Sequence, residues 1–195
     1  MKSYQMPKTR TFIAVPAEGE VQGAALNAID QLRSVVDGVK WVEPENLHWT
    51  LQFLGDIDDV EMAQACRRVV KVVAQHEPFV LHGKGISAFP SPDRPKTLYL
   101  ASDVGSKKFC ALQADIEESL DDMGFRGERR QFVPHLTLGR INRGGRGGDA
   151  LSEQLVAMKD LEAGAMAVDE VLVFASRLHR QGPGYQVLAT AALGN

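Results

Sequence analysis

The sequence predicts an α+β fold with mainly antiparallel strands. Segments of strand character alternate with segments of helical periodicity along the chain. Two of the strand-like segments are connected by a loop without an intervening helix, which is typical of a hairpin and disfavours a doubly wound parallel sheet. The 195 residues contain no Pro/Ser-rich linker, so we expect a single domain spanning residues 1–195.

The first half of the chain alternates strand and helix patterns. A short β-rich run ends at Pro16 and is followed by apolar residues at helical spacing. The Gly55-Asp56 turn then separates a strong strand from a second amphipathic helix. Two further strand-like runs flank the proline-containing loop 90–95, which predicts a β-hairpin with a stiff connection. The predicted strands are 10–16, 40–42, 46–54, 79–89 and 96–102, and the predicted helices are 18–36 and 58–75.

The second half begins with a helix whose ends carry capping signals. Ser106 is a good N-cap, and Gly124 is well placed just past the C-terminus. The glycine-rich run 143–148 is predicted to be a flexible loop. The predicted helices in this half are 106–123 and 149–159, and the predicted strands are 131–141, 165–175 and 185–192.

Composition and charge narrow the class of protein. Apolar residues make up 44% of the chain and charged residues 24%, which predicts a packed core and excludes disorder. No apolar run approaches a membrane span and no signal sequence is present, so we expect a cytoplasmic protein without a membrane partner. The net charge of −3 gives no global case for nucleic-acid binding, although an arginine-rich stretch at 126–148 is suited to an anionic ligand. Cys66 and Cys110 are expected to be buried helical thiols.

A repeated tetrapeptide is the most informative feature of the sequence. HWTL at 48–51 recurs as HLTL at 135–138, 87 residues later. From composition alone, two copies would arise in roughly one sequence in ten thousand. Each copy lies in a predicted strand, with about one copy in each half of the chain. The repeat therefore predicts a pseudo-twofold molecule in which both strands face one central groove.

Strand alternation assigns a face to each residue of the two motifs. Side chains two positions apart share a face of a strand. In both copies the histidine and the threonine therefore lie together, opposite an apolar face. The open face is predicted to carry His48, Thr50 and Gln52 in the first copy and His135 and Thr137 in the second. The apolar face is predicted to carry Leu47, Trp49, Leu51 and Phe53 in the first copy and Phe132, Pro134, Leu136 and Leu138 in the second.

Two facing histidines are suited to acid/base catalysis near neutral pH. Imidazole titrates close to pH 7, so one ring can act protonated while the other acts neutral. A threonine hydroxyl two residues along can donate a hydrogen bond to a nonbridging phosphate oxygen. A phosphodiester is therefore the predicted substrate. Metal binding is disfavoured because the motifs supply two histidines and no carboxylate or cysteine at ligand spacing.

Beyond the motifs, the sequence resembles the two-histidine (2H) phosphoesterase superfamily over nearly its whole length. Within that superfamily it is most similar to the RNA 2′,3′-cyclic phosphodiesterases, historically called 2′-5′ RNA ligases. The matching segments are RTFIAV at 10–15, NLHWTLQFLGD at 46–56, FPSPDRPKTLYL at 89–100, FVPHLTLGR at 132–140 and VLVFASRLHRQGPGYQVL at 171–188.

The resemblance implies a bilobal, pseudo-twofold fold in which two mainly antiparallel sheets flank a central cleft and helices lie outside. It implies that a terminal 2′,3′-cyclic phosphate of RNA is cleaved to a 2′-phosphomonoester, with no metal and no cofactor. By resemblance, His48 is the general acid that protonates the leaving 3′ oxygen and His135 is the general base that activates water. Thr50 and Thr137 hold the phosphate. Weak 2′-5′ RNA ligation is the expected reverse reaction.

The resemblance also assigns roles to two residues outside the repeated tetrapeptides. Arg140 matches an arginine that helps to hold the nucleotide, and Phe12 matches an aromatic residue that can stack on the base. Strict alternation would place Arg140 on the apolar face, and only a bulge at Gly139 or the end of the strand would turn it into the cleft. Alternation leaves open whether Phe12 or Ile13 faces the groove, and Phe12 is the predicted one.

Two other classes of function are compatible with the same motifs. One is a 2H phosphoesterase that acts on a small cyclic nucleotide or a 2′-5′ oligonucleotide. The other is a noncatalytic module in which the histidines only bind an RNA end. The predicted protein is a monomer that acts on RNA ending in a 2′,3′-cyclic phosphate.

Overall fold

The computed structural model describes residues 8–125, 131–145, 148–179 and 182–194. Strands and helices alternate in the first half of the chain, as predicted. Three successive strands follow the last helix. The strands are β1 (Thr9–Pro16), β2 (Val39–Trp41), β3 (His48–Ile57), β4 (Phe79–Phe89), β5 (Thr97–Ser102), β6 (His135–Ile141), β7 (Glu162–Val168), β8 (Glu170–His179) and β9 (Gly182–Ala192). The α-helices are α1 (Gly19–Arg33), α2 (Asp59–Val73), α3 (Ser106–Leu120) and α4 (Gly148–Ala157).

The strands form two four-stranded halves that meet at the repeated motifs. The strand order is β7-β4-β5-β6-β3-β1-β8-β9, with the short β2 also paired to β6, and the pairings are antiparallel. Between β3 and β6 a single residue pair, Trp49 with Leu136, joins the halves. The predicted α+β class is confirmed. The two predicted sheets correspond to these two halves. The Trp49–Leu136 pair connects them, so that the strands form one continuous sheet.

Corresponding elements of the two halves follow the spacing of the motifs. Helix α3 begins and ends 87 positions after α1, and the first residue of β6 lies 87 positions after the first residue of β3. The outward strand order from the junction is β3-β1-β8-β9 on one side and β6-β5-β4-β7 on the other. The pseudo-twofold relation predicted from a tetrapeptide repeat therefore extends to the arrangement of the strands.

Three local predictions need correction. Ser106 is the first helical residue rather than the N-cap, because Gly105 takes the cap position with a φ of 86° and the Ser106 hydroxyl hydrogen-bonds the Ser102 hydroxyl. Residues 131–134 precede β6 and are not part of it. The predicted strand 165–175 is divided at Asp169, whose carbonyl oxygen accepts a hydrogen bond from the main-chain N–H of Leu193. In contrast, Gly124 ends its helical segment with a φ of 85°, as its placement predicted.

The hydrophobic core lies between the sheet and the helices. Helix α1 packs against β7, and α2 packs against β9 and α3. Trp49 is fully buried at the junction of the halves and contacts the ring of Phe109 on α3 at 6.3 Å between centroids. The two cysteines lie in α2 and α3 as predicted, but both are half-buried, and desolvation raises the pKa of each thiol.

None of the described helices is long and apolar enough to cross a membrane.

Candidate active site

The two motif histidines are held by the same local hydrogen bond. His48 Nδ1 lies 2.6 Å from the main-chain carbonyl oxygen of Asn46, and His135 Nδ1 lies 2.8 Å from that of Val133. A carbonyl oxygen only accepts hydrogen bonds, so Nδ1 carries the proton in each ring. In both histidines Nε2 is therefore the atom that accepts a proton in the neutral ring and donates one in the charged ring.

The junction between the halves sets the histidines beside the threonines of the opposite motif. Trp49 and Leu136 occupy the second position of their tetrapeptides and pair with each other across β3 and β6. In an antiparallel pair this register sets His48 opposite Thr137 and Thr50 opposite His135. The predicted convergence of the two motifs on one groove therefore results from direct strand pairing.

Aromatic rings surround each imidazole. The ring of His48 lies 4.9 Å from Phe12 and 5.6 Å from Tyr185, and that of His135 lies 5.0 Å from Phe89 and 5.6 Å from Tyr99, between centroids. These rings hold the imidazoles in place and partly exclude water from them. Sequence reasoning had not singled out Phe89, Tyr99 or Tyr185, although all three lie in the segments that carry the family resemblance.

Each motif ends in a β-bulge at its leucine. The pairing of β3 with β1 skips Leu51, and the pairing of β6 with β5 skips Leu138. An extra residue in one strand reverses the faces of the residues that follow it. The two bulges occur at the same motif position and lie 87 residues apart. They are a second structural signature of the repeat, and strict alternation could not anticipate them.

The bulges correct the predicted faces of the residues that follow the motifs. Gln52 was predicted on the open face but is only 5% exposed, and Phe53 was predicted on the apolar face but is 57% exposed. In the second motif the bulge turns Arg140 to the exposed side, where its Nη1 donates to the Thr97 hydroxyl at 3.4 Å. The sequence predicted that a bulge at Gly139 would be needed for Arg140 to reach the cleft, and the bulge lies one residue earlier, at Leu138, where it has the same effect on Arg140.

A cavity of about 660 Å³ opens where β3 and the chain before β6 diverge beyond the Trp49–Leu136 pair. Thr50, His135 and Arg140 line one part of it. His48 and Thr137 are not among its lining residues. The positive charges of His135 and Arg140 nevertheless act on the titration of His48, so the three groups share one electrostatic environment.

The structure places Phe12 beneath His48 rather than on an open surface. Its side chain is 3% exposed and stacks on Phe174 at 5.1 Å between centroids. The predicted choice of Phe12 over Ile13 for the groove side agrees with its contact with His48. However, a base cannot stack on a ring that is almost completely buried. Phe12 therefore packs against the imidazole of His48 and supports it instead.

The arginine-rich stretch is only partly described. Arg126, Arg129, Arg130 and Arg146 lie outside the described residues, as does part of the glycine-rich run 143–148. Arg140 is the member of this stretch that the structure places in the cavity. Among the described residues, no group of three or more His, Cys, Asp or Glu side chains is placed to hold a metal ion.

The surroundings of His48 lower its pKa below the ordinary value for histidine. Burial is the largest cause, because it disfavours the charged ring, and the nearby positive charges of His135 and Arg140 act in the same direction. The hydrogen bond to the carbonyl oxygen of Asn46 opposes this shift. His48 is therefore mainly neutral at neutral pH when the cleft holds no anion.

We expect the His48 ring to titrate below the ordinary histidine pKa in an NMR pH titration. Arg140→Ala should raise that midpoint because it removes a nearby positive charge, whereas Arg143→Ala, an exposed control in the turn after β6, should not. As pH falls through the ordinary histidine pKa, His48 is protonated in the unfolded chain before it is protonated in the folded protein. Acid pH therefore favours unfolding, and His48 lowers the free energy of unfolding there. A wild-type midpoint above the ordinary value would contradict this account of the site.

Two adjacent strand motifs, each with a histidine and a threonine, define the class of a two-histidine phosphoesterase. The family model described as LigT like Phosphoesterase matches residues 15–99 and 102–185. Each range contains one motif, and the ranges begin 87 positions apart, which is the spacing of the motifs. The chain belongs to the LigT-like phosphoesterase family.

Relatives with assigned names match most of the chain. It is 35% identical over 178 residues to an RNA 2′,3′-cyclic phosphodiesterase of Methanothermobacter thermautotrophicus, covering 91% of this chain and 95% of the relative. It is 36% identical over 150 residues to a protein of the same name from Aeropyrum pernix, covering 77% and 84%. Among solved structures, the fold is similar to that of E. coli LigT in apo form, with a TM-score of 0.77, 19% identity and coverage of 97% of this chain and 99% of LigT.

Proposed function

We propose that this protein hydrolyses 2′,3′-cyclic phosphodiester ends of RNA to 2′-phosphomonoesters. The observation that carries the proposal is the pairing of two His-x-Thr motifs across one strand junction, in which Nδ1 of each histidine is bonded to a main-chain carbonyl oxygen in the same way. The relatives from Methanothermobacter thermautotrophicus and Aeropyrum pernix bear the name of this activity.

The reaction is an in-line displacement at phosphorus. Neutral His135 accepts a proton from water through Nε2, and the water oxygen forms a new bond to phosphorus. The bond from phosphorus to the 3′ oxygen breaks, and protonated His48 donates its Nε2 proton to that oxygen. The product keeps the phosphate on the 2′ oxygen. After the reaction His135 is protonated and His48 is neutral. Proton exchange with solvent then restores the starting protonation state of both rings.

Charge that develops on the phosphate oxygens needs hydrogen-bond donors. We assign this role to the hydroxyls of Thr50 and Thr137, and the register supports the assignment because it sets each one across from the histidine of the other motif. Arg140 adds a fixed positive charge in the cavity that Thr50 and His135 line. The phosphodiester anion in turn favours the protonated form of His48, which burial disfavours in the empty cleft.

The direct test is the product formed from a short RNA that ends in a 2′,3′-cyclic phosphate. The assay contains EDTA, because the proposal assigns both proton transfers to histidines and none to a metal. We expect conversion to the 2′-phosphate, resolved from the 3′-phosphate by chromatography. A 3′-phosphate product would overturn the assignment of His48 to the 3′ oxygen.

The same assay separates the alternative functions. Turnover of a mononucleotide 2′,3′-cyclic phosphate in preference to the RNA would favour a small-nucleotide phosphoesterase. Tight RNA binding without product would favour an RNA-end binding module. Reverse ligation, the monomeric state and cytoplasmic localisation stay predictions from the sequence.

A further inference from the structure

Strand β2 places a lysine beside the arginine of the cavity. In the antiparallel pair of β2 and β6, Lys40 lies directly opposite Arg140. Residues directly opposite each other in such a pair extend from the same face of the sheet, with their Cβ atoms about 5 Å apart. On its other side Arg140 lies opposite Thr97 of β5, whose hydroxyl accepts a hydrogen bond from Arg140 Nη1 at 3.4 Å. Three neighbouring strands therefore carry Lys40, Arg140 and Thr97 side by side on one face.

This face of β2 points away from the hydrophobic core. Val39 and Trp41 are half-buried against the core, whereas Lys40 between them is exposed. A Cβ atom added at Gly139 would lie 2.8 Å from the ring of Trp41, so Trp41 covers the core side of β6 next to Arg140. Arg140 lines the cavity from the opposite side. Lys40 therefore extends the positive charge of the cavity to the next strand, about 4.8 Å from β6.

The two cations lie opposite each other without a described anion to pair with either. Like charges directly opposite on two strands are destabilising. No ion pair among the described residues includes Lys40 or Arg140, and the Thr97 hydroxyl that Arg140 contacts is uncharged. An anionic ligand would reduce the repulsion between them. The register of β2 and β6 therefore favours a ligand that brings negative charge to both residues.

An RNA with a cyclic end contains a second phosphate that fits this arrangement. The proposed function assigns Arg140 to the cyclic phosphate. Because that phosphate ends the chain on its 3′ side, any further phosphate of the RNA lies on the 5′ side. The next one is the diester that joins the terminal nucleotide to its neighbour. Lysine binds a phosphate as a point charge on a flexible four-carbon stem, which suits the more exposed position of Lys40.

We infer that Lys40 binds the internucleotide phosphate immediately 5′ of the terminal nucleotide, while Arg140 binds the cyclic phosphate. This inference rests on the proposed function and specifies which part of an RNA chain the protein contacts beyond the reacting group. A nucleoside 2′,3′-cyclic phosphate offers an anion to Arg140 and none to Lys40. Lys40 is therefore a specificity determinant that favours an RNA end over a nucleoside cyclic phosphate.

The test compares two dinucleotides that end in a 2′,3′-cyclic phosphate and differ only in the charge of the internucleotide linkage. One has the natural phosphodiester, and the other has an uncharged methylphosphonate. We expect kcat/KM to be about 5-fold higher for the charged dinucleotide, which is the upper range for an exposed ion pair. Lys40→Gln should reduce this ratio to near one, and Lys40→Arg should retain most of it because the charge is kept. Lys71→Gln, which makes the same charge change at an exposed position of α2, should leave the ratio as it is.

Salt dependence supplies a second readout that a merely structural role of Lys40 would not change. A plot of log kcat/KM against log salt concentration should be steeper for the charged dinucleotide by about 0.7, the value for one phosphate contact on a single strand. Lys40→Gln should remove this difference in slope.

Three results would overturn the phosphate site while leaving the phosphodiesterase intact. The first is a ratio near one in the wild-type protein. The second is a ratio that Lys40→Gln leaves unchanged. The third is an equal loss of rate on both dinucleotides in Lys40→Gln, which would place the lysine at the cyclic phosphate instead. Absence of hydrolysis of both dinucleotides and of a longer RNA with the same end would remove the proposed function, and this inference with it.

Discussion

His48→Ala and His135→Ala should each lower the rate of cyclic phosphate hydrolysis at least ~10²-fold, the usual scale for loss of a general acid or base. Alanine has no group that can accept or donate a proton, so each substitution removes one of the two proton transfers from the reaction. The measurement is single-turnover hydrolysis of an RNA with a 2′,3′-cyclic phosphate end, at several pH values.

The two substitutions should not be additive. Two groups that transfer protons in one reaction act as a unit, so the double variant should be about as slow as the slower single variant. His82→Ala is the matched control, because His82 lies on β4 and not in either motif, and its rate should stay near that of the wild type. Near-normal turnover by either single variant would remove that histidine from the mechanism. Circular dichroism would check that each variant is folded.

Trp49→Ala should be the most destabilising substitution at the junction of the halves, with an expected loss of about 3–5 kcal/mol in the free energy of unfolding. Trp49 is fully buried, forms the only residue pair that joins β3 to β6 among the described residues, and packs on Phe109 of α3. Truncation leaves a large cavity at the centre of the molecule, where both halves contribute the walls. Urea unfolding followed by circular dichroism measures the change.

The indole N–H of Trp49 makes a second variant informative. It is buried and has no hydrogen-bond partner among the described residues, so Trp49→Phe removes an unsatisfied donor as well as ring volume. We expect Trp49→Phe to be less than half as destabilising as Trp49→Ala. Trp41→Ala is the control at the chain's other tryptophan, which is only half-buried, and should be milder still. Equal losses for Ala and Phe at position 49 would contradict this account of the junction.

Much of the architecture follows from patterns that are local in sequence. Helices α1 and α2 were predicted because apolar residues at a spacing of three and four define a buried stripe. For α2 the start is also encoded locally, since Asp58 accepts hydrogen bonds from two main-chain N–H groups of the first turn and Glu61 completes a capping box. The division of 165–175 at Asp169 was missed, because consecutive strands there are separated by one residue without glycine or proline.

The residues that follow the motifs show where local reasoning ends. Alternation assigned Gln52 to the open face and Phe53 to the apolar face, and the bulge at Leu51 reverses both. A bulge is an extra residue in one strand relative to its partner. Its position therefore depends on the register between the two strands and cannot be seen in one strand alone. The position of Arg140 depends in the same way on β5, which is distant from it in sequence. The part of the cavity that α3 lines was missed because Gln113 and Glu117 occupy ordinary positions in an amphipathic helix.

The sequence by itself determined the class of fold, the repeat and the two histidine–threonine pairs. These features depend on periodicity and on residue identity, which can be counted along the chain. Only the tertiary structure decided that the two motifs pair directly through Trp49 and Leu136, that both strands bulge after their threonines, and that α3 lines part of the cavity. The physical reason is that strand register and helix docking are properties of pairs of segments, and each segment alone is compatible with several partners.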